Sequence, residues 1–293
     1  MPKATRPPAK SKPPARRAAR RSARRPVPPL SARTADPLAL YELAVQGPEA
    51  EIDFVTRTFR RLRERPLRVL REDFCGTAIS ACEFVRRHED NRATALDLHR
   101  PTLAWGREHN VAALPAAARS RIELIPCDVL MPPARATNVD AVLAMNFSYW
   151  LFKSRDALRA YFASVRASLA DDGVLFMDTY GGWESMKLQT ERRRLKGFRY
   201  VWEQEAYDPI TGDLTCHIHF EFHKGPPLRR AFTYRWRLWT LPEILDLLAE
   251  AGLRNVTVYW EGDDGKGGGN GVFRPRKVGE ACAAFIAYIT AEK

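Results

Sequence analysis

Apolar residues in this chain recur at two different spacings, and the switches between them divide it into elements. Leu67, Val69 and Leu70 make a short apolar run that closes on Glu72 and Asp73, after which Ile79, Cys82, Phe84 and Val85 follow helical spacing. The rhythm returns along the chain. Strands are predicted over 93–98, 121–126, 139–145, 174–177 and 254–260. Helices are predicted after Pro101, over 154–169, where Leu158, Tyr161, Phe162, Val165 and Leu169 share a face, and from 240 to 251. The last begins at Thr240-Leu241-Pro242-Glu243, a capping box with proline in the first turn. Two more helices, broken at Gly47-Pro48, are predicted ahead of the first strand. Such alternation implies a doubly wound α/β fold, a parallel sheet with helices on both faces.

Residues 198–239 interrupt this rhythm. Phe198, Tyr200 and Trp202 alternate with polar positions, Asp208-Pro209-Ile210-Thr211-Gly212 is a turn, and further alternating runs follow at 216–223 and 231–239, which predicts inserted antiparallel β-hairpins. In the middle run Cys216, Ile218, Phe220 and Phe222 share one face, and His217, His219, Glu221 and His223 the other. That polar face is expected to be solvated or to face a substrate; a metal site is the alternative, and no metal is expected. Residues 262–271, six of them glycine, are either a mobile cover or a disordered hairpin loop, and the apolar run 281–290 is a final strand.

Composition narrows the possibilities. The chain has 293 residues and 45% apolar content, enough for a sizeable core. Its net charge of +12 is concentrated in residues 1–35, which hold eleven Lys or Arg and no acid; the remainder is nearly balanced. This Pro/Ala/Arg-rich tail is expected to be disordered, a solubilising extension or else a weak polyanion or nucleic-acid contact. Residues 36–293 are read as one domain. Five scattered cysteines without a Cys-x-x-Cys pair favour a reducing, cytoplasmic setting, and no apolar run is long enough to span a membrane.

The candidate chemistry sits at strand ends. Glu72, Asp97 and Asp128 each close a successive predicted strand, and Asp97 lies 21 positions beyond Gly76, a separation suited to a carboxylate that accepts both hydroxyls of a ribose. The segment Glu72 to Ala78, with Cys75-Gly76-Thr77 inside it, resembles the first motif of class I S-adenosylmethionine-dependent methyltransferases, from which it departs at Phe74 and Ala78, where that family usually has glycine. The resemblance covers about residues 37–293. It implies a Rossmann-like sheet of seven strands with the last antiparallel, and the hairpins as a lid like those of glycine, sarcosine and amino-sugar N-methyltransferases. It also implies cofactor contacts from Glu72, Cys75, Gly76, Thr77, Asp97 and Leu98, adenine contacts from Asp128 and Val129, a strand-end role for Asn146, and a lid residue in Tyr41.

The expected function is therefore transfer of a methyl group from S-adenosylmethionine to a small molecule through a nitrogen or oxygen nucleophile. His217, His219, Asp178 and Asp263 are the candidates for a catalytic base. A nicotinamide-dependent oxidoreductase shares the acid spacing, but the missing G-x-G-x-x-G, the third acid and the antiparallel last strand speak against it. A nucleic-acid adaptor acting through its tail is the non-enzymatic alternative.

Overall fold

The computed structural model describes residues 30–263, 265 and 268–293. Helices α1 (Pro37–Val45) and α2 (Pro48–Arg63) precede β1 (Val69–Asp73), α3 (Ile79–Arg86), β2 (Arg92–Asp97), α4 (Arg100–Gly106), the single turn α5 (Ala116–Arg119), β3 (Ile122–Pro126) and β4 (Val139–Ala144). Then come α6 (Arg155–Ser168), β5 (Leu169–Gly181), β6 (Gln189–Leu195), β7 (Phe198–Tyr207), β8 (Asp213–Phe222), β9 (Leu228–Arg237), α7 (Leu241–Glu250), β10 (Arg254–Asp263), β11 (Gly269–Arg276) and β12 (Phe285–Glu292).

The main sheet has the order β11-β10-β12-β5-β4-β1-β2-β3. Strands β1 to β5 pair in parallel, and β12 runs antiparallel between β5 and β10. This is the expected doubly wound sheet with one strand more. The addition, β11, comes out of the glycine-rich segment, which forms the far end of a β10–β11 hairpin rather than a separate cover. Sequence reading misses it because Gly269–Arg276 carries glycine, arginine and proline with little alternation, a composition that suits an exposed edge. The inserted sheet also has an extra strand, with order β6-β7-β8-β9. Its edge β6 is almost wholly exposed and charged, so it has no apolar pattern to betray it. The expected disordered tail lies outside the described residues up to 29, while residues 30–35 form a turn in which Thr34 N donates to Ser31 O at 3.1 Å.

Helices cover both faces of the main sheet. On one, α6 (Leu158, Tyr161, Phe162, Val165) and α7 (Ile244, Leu247, Leu248) form a core with Val142, Leu175 and Ile289. On the other, α2 (Ile52, Val55, Phe59) and α3 (Cys82, Phe84, Val85) pack on Leu70, Ala93 and Leu143. A third, smaller core joins α1, through Leu40 and Ala44, to Phe198, Ile218 and Phe220 of the inserted sheet. The first helix therefore belongs to the lid. Burying these faces, at about 25 cal/mol per Å² of apolar surface, is what holds the layers together.

Beneath the C-terminal end of β1 lies a fully buried ion pair. Arg71 Nη2 donates to Asp73 Oδ2 at 2.9 Å, and the same oxygen accepts the Tyr161 hydroxyl at 3.0 Å. Directly after it the backbone turns left-handed three times, at Phe74 (φ 55°), Gly76 (φ 53°) and Ala78 (φ 58°). Only glycine adopts such φ values without steric cost. Phe74 is held there by its ring, 5.4 Å from that of Tyr161 and 6.0 Å from that of Phe152, and Ala78 by complete burial. Both positions at which the sequence departs from the glycine-rich motif thus take a backbone conformation that glycine adopts most readily.

This strain is testable at Ala78. Ala78→Gly relieves it at the expense of one buried methyl group and should leave stability within about 1 kcal/mol of the parent. Ala78→Val adds a branched side chain at positive φ in a filled core and should cost about 2–4 kcal/mol. Denaturant midpoints of the two variants decide the point. Equal effects would mean that the turn is not strained.

Candidate active site

Strands β1, β2, β3 and β4 end side by side, and the loops that leave them surround a cleft of about 1020 Å³. The acid at the end of β2 organises the floor. Asp97 Oδ2 accepts from Gly76 N at 2.8 Å and Oδ1 from His99 N at 2.7 Å, so one carboxylate ties the β1 turn to its own strand end. Each oxygen retains lone-pair capacity for a further donor. Helix α4 closes one side so tightly that a Cβ on Gly106 would lie 2.4 Å from Thr77 O. At the end of β3, Asp128 Oδ1 accepts from Leu130 N at 2.9 Å. Leu98, at the cleft wall, is 70% exposed, an apolar side chain with an open face.

The lid completes the enclosure. Asp36, the N-cap of α1, accepts the Trp105 indole N–H at 2.6 Å, and Glu42 accepts both the Thr77 hydroxyl at 2.5 Å and Asn110 Nδ2 at 2.7 Å. Tyr41 reaches across to the inserted sheet, its ring 4.8 Å from Phe232. These contacts bring α1, the β1 turn and β9 around one space.

A second chamber of about 670 Å³ adjoins the cleft and shares Tyr41, Asn146, Tyr234 and Trp236 with it. Asn146 (φ 58°) and Phe147 (φ 55°) are consecutive left-handed residues after β4, and their backbone N–H groups both point at Asp178, at 2.9 Å each. Burial pushes the Asp178 carboxyl up to about 7 against those two hydrogen bonds, and the Glu51 charge adds to the rise.

Of the residues singled out from sequence, Tyr41, Cys75, Gly76, Thr77, Asp97, Leu98, Asp128, Val129 and Asn146 line the cleft, and Asp178 lines the second chamber. Glu72 lines neither. It accepts Ala81 N at 2.8 Å in the first turn of α3, a helix whose N-cap, Ala78, has no side-chain acceptor of its own. Glu72 therefore caps the helix, the task a serine or aspartate at position 78 would perform. His217 and His219 also line neither cavity. His217 is held between Glu205 (2.8 Å) and Thr233 (2.8 Å), and His219 between Glu203 (2.8 Å) and Arg230 N (2.9 Å). Glu205 and Glu203 are diagonal partners on β7, Thr233 stands directly opposite His217 on β9, and together they bury both rings on the face of β8 opposite Ile218. Asp263 ends β10 on the surface, where it accepts the Gly265 N–H. Among the described residues no group of three His, Cys, Asp or Glu is arranged to hold a metal ion.

Sequence reading missed Glu51, which lines the second chamber and accepts the Ser80 hydroxyl at 2.9 Å. A signal was present: Glu51 stands four and eight positions before Val55 and Phe59, an acid in line with the buried stripe of α2. The lid anchors Asp36 and Glu42 were missed too, since nothing local distinguishes them from solvated acids.

Burial raises Glu72 to about 8 and Asp178 to about 7. Both take up protons in the folded state that the unfolded chain has already released, so their contribution to stability is complete below the ordinary carboxyl range and disappears as pH rises through 7 to 8. Glu72→Gln keeps an acceptor for Ala81 N and removes one titrating group. Its denaturant midpoint should fall less between pH 5.5 and 8 than that of the parent; an unchanged decline would show that Glu72 is not the group responsible.

Residues 73–177, about a third of the chain, match the family model described as Methyltransferase domain. No curated protein sequence matches the chain. Among solved structures it is similar to an S-adenosylmethionine-dependent methyltransferase from Clostridium acetobutylicum, with 16% identity, a TM-score of 0.63 and coverage of 86% of this chain and 96% of that one. It is similar also to CalS10, an amino pentose methyltransferase from Micromonospora echinaspora determined with S-adenosylmethionine bound, with 18% identity, a TM-score of 0.60 and coverage of 86% and 95%. DesVI from Streptomyces venezuelae gives 19% identity, a TM-score of 0.59 and coverage of 85% and 94%. Residues 73–177 thus match a methyltransferase domain, within a chain whose fold is shared with S-adenosylmethionine-dependent methyltransferases of known structure.

Proposed function

We infer that the protein transfers a methyl group from S-adenosylmethionine to a small-molecule acceptor through a nitrogen or oxygen nucleophile. The observation that carries this reading is the convergence of Gly76, Asp97 and Asp128 on one cleft that opens directly into a second, aromatic-walled chamber. The cleft fits the cofactor in volume and in donor set. Asp97 suits the ribose hydroxyls, Asp128 with the Val129 backbone the adenine edge, and the bare backbone at Gly76 the close approach of the amino-acid portion. Leu98 and the buried Val129 supply apolar surface for a purine ring. Neighbours described as sugar N-methyltransferases and amino pentose methyltransferases support a small acceptor.

When bound, S-adenosylmethionine supplies a methyl group on a positively charged sulfur, a leaving group that needs no proton. What remains for the chain is to orient the acceptor, exclude water and hold a proton where the nucleophile carries one. The lid helix α1 and the inserted sheet perform the exclusion. Asn146, shared by both spaces, stands where the two ligands would meet, and Asp178 lies next to it. The lid is assigned to acceptor selection, because the residues assigned to the cofactor, Gly76, Asp97, Asp128 and Val129, follow β1 to β3, whereas α1 and the inserted sheet supply the aromatic walls of the second chamber.

Calorimetry with S-adenosylhomocysteine, S-adenosylmethionine and NAD⁺ tests the reading. The two adenosyl ligands should bind and NAD⁺ should not; the reverse would point to the oxidoreductase. Asp97→Ala should weaken S-adenosylhomocysteine binding by about 1–3 kcal/mol, since charge-assisted hydrogen bonds to the ribose are lost. Unchanged affinity in a folded variant would remove Asp97 from the site.

A further inference from the structure

The second chamber is lined by buried carboxyl groups that no cation among the described residues matches. Asp178 and Glu51 are both more than nine-tenths buried and both line it. Neither pairs with a lysine or arginine among the described residues: Asp178 has two backbone N–H donors, and Glu51 has the Ser80 hydroxyl. Buried carboxylates are ordinarily matched by a cation, and like charges facing one space repel. Glu191, exposed at the mouth, has no side-chain hydrogen-bond or ion-pair partner among the described residues. The two arginines at the chamber are otherwise engaged, Arg192 with Glu221 at 3.6 Å and Arg193 with Ala44 O and the face of Tyr200.

The walls are of one kind. Tyr41, Trp202, Tyr234 and Trp236 present aromatic surface from α1 and the inserted sheet, with Tyr234 stacked on Trp236 at 4.3 Å. Aromatic faces attract cations as well as apolar groups. The Tyr180 hydroxyl oxygen, also on the chamber, is buried and has no hydrogen-bond partner, which leaves one polar atom to be satisfied by whatever enters.

We propose that the acceptor is an amine on a ring-sized apolar body, that it enters this chamber as its ammonium ion, and that Asp178 receives the ammonium proton. The proposal rests on the methyltransferase reading and gives its acceptor a chemical class. Asp178 and Glu51 supply the charge that draws the ammonium in, and the tyrosine and tryptophan faces hold the body beside it. One proton then passes from the ammonium nitrogen to an Asp178 oxygen; the N–H bond breaks with its electron pair left on nitrogen, an O–H bond forms, and the proton later leaves to water. The amine so produced has the lone pair that methyl transfer needs, whereas the ammonium has none. A carboxyl held near 7 by burial is suited to both roles, since it pairs as an anion and retains a proton long enough for reaction. A neutral alcohol acceptor would offer neither carboxyl a cation to pair with.

The test uses benzyltrimethylammonium as the cationic probe and benzyl alcohol as the neutral one, titrated into the full chain saturated with S-adenosylhomocysteine, so that the probes report on the acceptor chamber. The cation should bind at least about tenfold more tightly than the alcohol. Asp178→Asn, and separately Glu191→Gln at the exposed mouth, should each weaken cation binding at least about threefold, with S-adenosylhomocysteine affinity within about twofold of the parent. Should Asp178→Asn fail to fold, Glu191→Gln is decisive. Equal or tighter binding of the alcohol, or cation affinity unchanged in the folded variants, overturns the amine assignment and leaves the methyltransferase reading standing. Failure of the parent to bind S-adenosylhomocysteine overturns both.

Discussion

The site depends on a backbone constraint: the chain must leave β1 through three left-handed residues and enter α3 within six positions of Asp73, with its polar groups satisfied. Two carboxyl side chains make this possible. Asp97 takes the N–H of Gly76, and Glu72 takes the N–H of Ala81, so the turn is tied to the neighbouring strand on one side and to the helix on the other. Buried backbone donors left without such partners would each cost about 1–3 kcal/mol. The arrangement rests on the buried Arg71–Asp73 pair and the Tyr161 hydroxyl beneath it, and Phe74 packs onto the same tyrosine. Strain and hydrogen bonding are thus coupled across a few residues, and the cleft is the space they leave.

Around that turn the molecule divides its tasks between layers. The main sheet and the α2, α3, α6 and α7 layers form a rigid platform with apolar cores on both faces. The lid is of another kind: α1 and the inserted sheet share a small core of their own and meet the platform partly through polar contacts such as Asp36 to Trp105 and Glu42 to Thr77. Contacts of that sort can be exchanged for water at modest cost, whereas separating the platform layers would expose extensive apolar surface. Opening for ligand exchange is therefore cheapest at α1, because the inserted sheet is anchored in the platform core through Leu214, Cys216 and Trp236, and the lid contributes aromatic walls to the second chamber. The walls of both spaces depend on the same elements.

The platform was legible in the sequence because each of its elements carries a local signature. Parallel strands buried on both faces read as short apolar runs, the helices as stripes, and Thr240-Leu241-Pro242-Glu243 as a start signal whose capping box the structure contains. The cleft acids at 97 and 128 were legible for a related reason: they end strands, and strand ends in such a sheet face the ligand edge whatever the rest of the chain does. Strands β6 and β11 were not legible. Both are exposed edges held by hydrogen bonding to a neighbour, and backbone pairing leaves no pattern in side chains.

What only the tertiary structure decided is which partner each polar residue meets. Alternation placed His217 and His219 together on one face of β8, but the register of β7 brought Glu203 and Glu205 alongside them, and Thr233 and Arg230 of β9 completed their burial. Glu72 has the strand-end position of a ligand-binding acid, yet its oxygen meets a helix terminus that Ala78 leaves uncapped. Glu51 falls in line with the buried stripe of α2, but only the closing of the layers makes it a wall of the second chamber. Periodicity depends on the residue and its neighbours within about one turn or one pleat, and this much the sequence by itself determined. A hydrogen bond or a shared cavity depends on the packing angle and register of elements far apart in the chain, which are determined only when the layers close.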